Sequence, residues 1–367
     1  MKAIVLRNEL SKILSIATRF TSTRSQLPIL ENSVIKTSKN KIYVMATNLE
    51  NSFCGSIAAK ISKEGDIAVP ARNFSEILLN LAYETVALES RNETLLVTSN
   101  AFYANLAGMN TSDFPSIPEK IGRDVKKINF EKFSDMLGKV LFSVSRDETR
   151  PILTGVLFVF QGDSLLLVSS DGFRLSSVKF LLGEKVKPCK FIVPRNILAE
   201  ISRFRDVEEM LDFEYRSGDN QVLFGFDGNI FSSRLIEGDF PDFEKIVPKS
   251  YNVKAIVSKE DLLRAIKLAS VFARDSANTV KLKVLDEGIG LSSESSRSGS
   301  QNIKIDAKVE GGEVEITYNY RFIEDFLNVV DGDEVIMEFT DSISPGVFRD
   351  GQSNNFYHII MPVKTQE

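Results

Sequence analysis

An amphipathic helix pattern occurs three times in this chain at nearly equal spacing, and that recurrence restricts the possible folds more than any other feature. The segments are NELSKILSIATRF from Asn8, EKFSDMLGKVLFS from Glu131 and EDLLRAIKLASVFA from Glu260, 123 and 129 residues apart. Each has apolar residues at i, i+3, i+4 and i+7: Leu10, Ile13, Leu14 and Ala17; Phe133, Met136, Leu137 and Val140; Leu262, Ala265, Ile266 and Ala269. Such a stripe predicts a helix with one buried face.

Two more markers keep the period. VPARNFSEIL from Val69 and VPRNILAEIS from Val193 stand 124 apart, each reading as a strand end that runs into a helix, with YRFIEDFLNVV from Tyr320 as the third copy. The turn Asp113-Phe114-Pro115 returns as Asp239-Phe240-Pro241, offset by 126. One third of 367 residues is about 122, so the simplest reading is three copies of one domain, at 1–122, 123–249 and 250–367. Between the helices lie short runs such as KIYVMAT, TLLVTS, SLLLVSS, QVLFGF, EVIMEFT and FYHIIMP, closed by Gly, Asn or Asp. These predict antiparallel strands, so each repeat is expected to be α+β, with two helices packed on antiparallel sheets. If the repeats join edge to edge, all six helices fall on one side.

Composition excludes several classes. The chain is 43% hydrophobic and 26% charged, with no apolar run near the roughly 20 residues of a membrane span, so a soluble globular protein is expected. The opening MKAIVLRNEL turns charged at Arg7 and Glu9 before any stretch of signal-peptide length, which points to the cytoplasm. Cys54 and Cys189 stand far apart in apolar contexts and read as buried free thiols. A single histidine, His358, lies in the terminal strand pattern and can build neither a His-rich zinc site nor a supported acid–base pair. P-loop, dinucleotide, zincin and nucleophile-elbow motifs are all absent. Asp331, Asp333 and Glu334 around Gly332 read as a polar turn. No metal, cofactor or catalytic residue is expected.

The formal charge of −5 taken whole argues against a nucleic-acid partner, but the charge is unevenly spread. Residues 7–24 carry +3, 126–150 carry +2 and 259–274 carry +2, leaving −12 for the rest. Three equivalent first helices sharing a basic bias point to one polyanion-binding surface.

SDGFRL from Ser170, GDFPDF from Gly238 and the terminal IIMPVK from Ile359, with LPIL at 27–30 and VPAR at 69–72, resemble the bacterial DNA polymerase III beta subunits, the replicative sliding clamps. The resemblance spans the chain. It implies the clamp fold, with two chains joined head to tail into a closed ring of six similar domains around duplex DNA. Twelve helices packed at 8–10 Å would line a bore about 30–40 Å wide. The implied role is processivity without catalysis: sequence-independent contacts to double-stranded DNA, and tethering of the DNA polymerase III catalytic subunit, the clamp loader and other polymerases and repair proteins through linear peptides. No membrane is involved.

Matched position by position, the resemblance implies DNA contacts by Arg24, Arg72, Arg146, Arg150 and Arg195, joined by Lys12, Lys139 and Lys267 on the helices. Pro151 and Ile152 stand where some clamps carry aromatics that touch DNA. A partner-peptide pocket would use Leu153, Ser170, Gly172, Phe173, Arg174, Leu175, Pro241, Lys245, Ile246, Asn319, Phe322, Ile343, Ile360, Met361, Pro362 and Val363. The run Ile359 to Val363, with no following element to cover it, supports that placement, and the tail Thr365, Gln366 and Glu367 extends toward it. Phe173 replaces a histidine and Ala277 a larger aromatic of some relatives. The dimer contact would pair the strand Tyr103 to Leu106 with Val271 and Phe272 of the other chain. From residues alone, an enzyme of unknown chemistry on a repeated α+β domain and a DNA-binding repeat protein that does not encircle DNA stay open.

Overall fold

The computed structural model describes residues 1–22, 26–122, 125–204, 207 and 210–364. Six helices form among them: α1 (Arg7–Ala17), α2 (Ala71–Asn80), α3 (Phe130–Leu141), α4 (Arg195–Ile201), α5 (Lys259–Ala273) and α6 (Tyr320–Leu327). The twelve stripe residues of α1, α3 and α5 are all buried, as their period requires. Strands Gly65–Pro70, Cys189–Pro194 and Val314–Asn319 run directly into α2, α4 and α6, so the strand-to-helix marker is one local structure used three times. Pro70 and Pro194 occupy the cap positions of α2 and α4 with φ of −55°, where the ring presets the entry conformation and the missing N–H costs no ladder bond. Asn319 caps α6 with its side chain instead.

By compactness the chain falls into two units, Met1–Glu131 with Arg205–Leu235, and Lys132–Phe204 with Ile236–Glu367. The central repeat is therefore shared between them. The reason is sheet continuity, because strands of neighbouring repeats pair edge to edge and backbone ladders bind them more densely than the repeat binds itself.

In the first unit one sheet has the order Lys60–Lys63, Lys2–Leu6, Thr85–Arg91, Thr94–Ser99, Phe102–Ala107. The other has eight strands, Lys126–Asn129, Met210–Arg216, Gln221–Phe226, Asn229–Arg234, Asn51–Ala58, Lys41–Thr47, Asn32–Ser38 and Gly65–Pro70. Its repeats are spliced where Asn229–Arg234 pairs antiparallel with Asn51–Ala58, Ile230 opposite Cys54. Phe20, Phe53, Phe226 and Phe231 stack beneath this seam at centroid distances of 5.1–5.8 Å. Gly55 lets α1 close on the sheet: a β-carbon there would stand 2.5 Å from Ile13 Cδ1.

The second unit repeats the plan. A nine-stranded sheet runs Cys189–Pro194, Gly155–Gln161, Ser164–Ser170, Arg174–Leu181, Phe356–Ile360, Gly346–Asp350, Glu334–Phe339, Val253–Ser258, Ala307–Gly311. Its seam pairs Arg174–Leu181 with Phe356–Ile360, Ser176 opposite His358. A four-stranded sheet, Gly299–Ile305, Gly288–Ser295, Thr279–Leu285 and Val314–Asn319, packs with α5 and α6. Cys54 is buried as expected, but Cys189 is only half-buried because it opens an edge strand. Among the described residues no helix is long and apolar enough to cross a membrane.

Candidate functional site

The expected DNA-contacting residues divide by what their charges meet. Arg72, Arg146 and Lys267 are exposed. Arg195 opens α4 half-buried, and burial, followed by the like charge of Arg146, holds its guanidinium below the ordinary arginine value. The like charge of Arg146 beside Arg195 concentrates positive potential there. Lys12 points outward but lies 3.4 Å from Glu9. Arg24 lies outside the described residues.

Lys139, also expected at DNA, is engaged within the fold. Its side chain is only 15% exposed, its Nζ is 2.5 Å from Asp331 Oδ2, and it lies 5.8 Å from the Phe356 ring centroid. It ties α3 to the loop after α6. Asp331, read as part of a polar turn, is the carboxylate that holds it.

The partner-pocket residues centre on turn 170–174. Ser170 Oγ donates to the Arg174 carbonyl (2.8 Å), the Gly172 N–H donates to Ser170 Oγ (3.1 Å), and the Phe173 and Arg174 N–H groups donate to Asp171 Oδ1 (2.9 and 3.0 Å). Side-chain acceptors of this kind close a turn the backbone alone would leave open. Gly172 has φ +91°, a conformation that disfavours a β-carbon. Phe173 is thereby held outward, 60% exposed.

Arg174 locks the turn from beneath. Its guanidinium donates to Asp171 Oδ2 (2.9 Å), Asp325 Oδ2 (2.6 Å) and the Phe142 carbonyl (2.8 Å). It also lies 4.5 Å from the Phe322 ring centroid and 5.4 Å from that of Phe142. Its bonds are satisfied internally, so it positions the turn; Asn319, one residue before α6, likewise uses its side chain on the Arg321 N–H (3.1 Å).

The chain end runs along this turn. The Met361 N–H donates to the Phe173 carbonyl (2.9 Å) and the Val363 N–H to the Thr317 carbonyl (2.8 Å). The apolar terminal run splits here: Ile359 and Ile360 are fully buried in the sheet, while Met361, Pro362 and Val363 stay partly open. Leu153, Leu175 and Ile360 are buried, and Leu175 belongs to the apolar cluster of Leu157, Val168, Ile192 and Val347. Phe240 packs against that cluster, whereas Pro241, Lys245 and Ile246 beyond it are exposed, Lys245 2.9 Å from Asp242. Ile343 stands 76% exposed on a loop of its own, where Asp341 accepts from the Ile343 and Ser344 N–H groups. Ala277 is exposed with φ +52°. Residues 365–367 lie outside the described set.

Arg150, expected at DNA, has its Nη1 2.8 Å from where a β-carbon on Gly172 would stand. Nothing in the local sequence signals this, since residues 150 and 172 meet only through the sheet.

Of the expected dimer residues, Tyr103 is exposed on strand Phe102–Ala107, at the edge of its sheet, while Leu106 on the same strand faces inward. Val271 is exposed, and half-buried Phe272 reaches 3.9 Å from the β-carbon position of Gly299. That glycine opens the edge strand Gly299–Ile305, which the sequence reading had not singled out.

Comparison with known proteins places this geometry. Residues 1–118, 127–242 and 244–364 match the N-terminal, central and C-terminal domains of the DNA polymerase III beta subunit. A beta sliding clamp of Staphylococcus epidermidis is 31% identical over 357 residues, covering 94% of both chains. One from Staphylococcus aureus is 31% identical over 356 residues with the same coverage. The crystal structure of the DNA polymerase sliding clamp from Bacillus subtilis, 29% identical, superposes with a TM-score of 0.96 over the whole of both chains. That of the DNA polymerase III beta subunit from Thermotoga maritima, 25% identical, gives 0.92 over the same extent. With three clamp domains in order and helices packed on antiparallel sheets, the chain belongs to the DNA polymerase III beta subunit family, the beta sliding clamps.

Proposed function

We propose that two copies of this chain close head to tail into a ring around duplex DNA and tether the replicative polymerase, its clamp loader and other partners in the cytoplasm. Repeats at 1–122, 123–249 and 250–367 are part of this reading, and the family matches to 1–118, 127–242 and 244–364 support them. The observation that carries it is the unguarded edge strand Phe102–Ala107, with the sequence FYANLA. It has no charge and no proline, the devices that keep free edges from pairing. The opposite edge of the same sheet, Lys60–Lys63, carries two lysines. In this reading FYANLA and Tyr103 meet the third-repeat edge of a second copy, beside Val271 and Phe272, a heterologous contact that closes after two chains.

DNA then passes against the exposed cations Arg72, Arg146 and Lys267 and the half-buried Arg195, with no base read. Partner peptides dock in extended form over Phe173, Met361 and Val363, with the half-buried Phe322 and exposed Ile246 as further apolar walls. The chain itself performs no chemistry.

Light scattering on the purified chain tests the ring: a mass near twice 41.0 kDa is expected, and a stable monomer at micromolar concentration overturns it. Removal of residues 361–367 is expected to abolish binding of a polymerase-derived peptide while leaving that mass unchanged. Undiminished peptide binding overturns the pocket.

A further inference from the structure

Turn 170–174 has a counterpart in the other unit that repeats it bond for bond. In turn 47–51, Thr47 Oγ1 donates to the Asn51 carbonyl (2.9 Å) and the Leu49 N–H donates to Thr47 Oγ1 (3.0 Å). The Glu50 and Asn51 N–H groups donate to Asn48 Oδ1 (3.1 and 2.8 Å), as those of Phe173 and Arg174 do to Asp171. The Asn48 N–H donates to the Asn51 carbonyl (3.2 Å), as Asp171 does to Arg174 (3.3 Å).

The surroundings repeat as well. The Glu50 carbonyl accepts from the Arg234 N–H across the seam (2.9 Å), as Phe173 accepts from Met361. Leu27-Pro28-Ile29-Leu30 forms the same short helical turn as Arg150-Pro151-Ile152-Leu153, with the Leu30 N–H on the Leu27 carbonyl (3.1 Å) and that of Leu153 on Arg150 (2.9 Å). Behind the first copy Ile29, Leu30, Met45 and Cys54 form an apolar cluster that Phe114 packs against, the role Phe240 has in the second unit.

The differences lie in the side chains. Leu49 takes the place of Gly172 yet keeps a positive φ, +76°. Glycine, with no β-carbon, would hold this conformation without strain, whereas the leucine β-carbon is crowded against the backbone. Core packing does not offset that strain, because Leu49 is 49% exposed. Leu27, in the place of Arg150, is 51% exposed. A strained, outward-held apolar residue on a turn built like a docking turn is the kind of outlier from which a binding role is inferred.

We infer that turn 47–51 with Leu27 is a second docking site, in the first unit, for the same class of extended apolar peptide. The inference rests on the reading of turn 170–174 as the partner pocket. The second site is the weaker one, since Glu50 and Arg234, both exposed, stand where the pocket has Phe173 and Met361.

The test is isothermal titration of the full chain with one probe, a peptide from the replicative polymerase catalytic subunit. Two sites per chain are expected, the second at least tenfold weaker. A chain ending at Ile360 keeps only the weak site, and Leu49→Asp loses only the weak site. Leu49→Gly relieves the backbone strain, so it melts no lower than the parent and still loses the weak site. A single site per chain, indifferent to Leu49→Asp and lost on truncation, overturns the second site and leaves the pocket standing. A truncated chain that keeps the strong site overturns the pocket reading, and the basis of the second site with it.

Discussion

The guanidinium of Arg150 stands over Gly172, with Nη1 2.8 Å from where a β-carbon on the glycine would be. The arginine's flexible end can move aside, so it is φ +91° that disfavours a β-carbon in turn 170–174. Gly172→Ala is expected to lower stability by about 1–3 kcal/mol and to weaken polymerase-peptide binding, read by urea denaturation and peptide titration. Gly162, with φ +64° but nothing within 4 Å of its β-carbon position, is the control: Gly162→Ala should cost less and leave peptide binding unchanged.

Arg174 is bonded to two carboxylates and a carbonyl and stacked by two phenylalanines. Arg174→Ala leaves Asp171 and the Phe142 carbonyl without this partner, and a loss of about 3–5 kcal/mol is expected. Arg174→Lys keeps the charge but not the planar fork, so it should restore only a minor part. Equal stability of the lysine variant and the parent in urea would refute this role.

His358 is completely buried, its Nδ1 2.8 Å from Ser176 Oγ, its ring stacked on Phe326 at 5.7 Å. Burial, and then the nearby Arg174 charge, push its pKa well below 6.5. Below pH about 6.5 the unfolded chain takes up a proton at this residue that the folded chain refuses. Its contribution is therefore fully present above that pH and is lost as pH falls, by up to about 1.4 kcal/mol per pH unit. His358→Gln should flatten the stability profile between pH 7 and 5 relative to the parent, and the parent imidazole NMR signals should not titrate across that window.

Among the cations, exposed Lys267 and the half-buried, ion-paired Lys139 should behave oppositely. Lys267→Gln is expected to leave the melting temperature unchanged and to reduce the slope of log affinity for DNA against log salt by about 0.9. Lys139→Gln should leave that slope unchanged and cost up to about 1 kcal/mol of stability, because its partner Asp331 is largely exposed. Arg146→Gln and Arg195→Gln should follow the Lys267 pattern. A salt slope moved by Lys139→Gln would return that residue to the DNA face.

Val271, exposed near the third-repeat sheet edge, offers the simplest break of the ring. Val271→Asp should halve the solution mass with no loss in melting temperature of the separated chains beyond about 0.5 kcal/mol equivalent. A mass unchanged at micromolar concentration would move the contact elsewhere.

Much of this architecture was determined by the sequence alone. The three first helices, the strand-to-helix joints after Pro70 and Pro194, and the Asp-Phe-Pro segments that seat Phe114 and Phe240 on their apolar clusters all follow from periods and short motifs that act over a few positions. The basic bias was legible for the same reason, because charge can be counted along a segment. Tertiary structure alone decided which charges are free. Lys139 meets Asp331, 192 residues away, and Arg174 meets Asp325, 151 away, so two residues expected at ligands also brace the fold. It also decided that sheets run through the joints between repeats, burying Leu153, Leu175 and Ile360 and bringing Arg150 over Gly172. Strand pairing across a seam depends on which edges meet in space, and a residue's own neighbours in the chain carry no information about that.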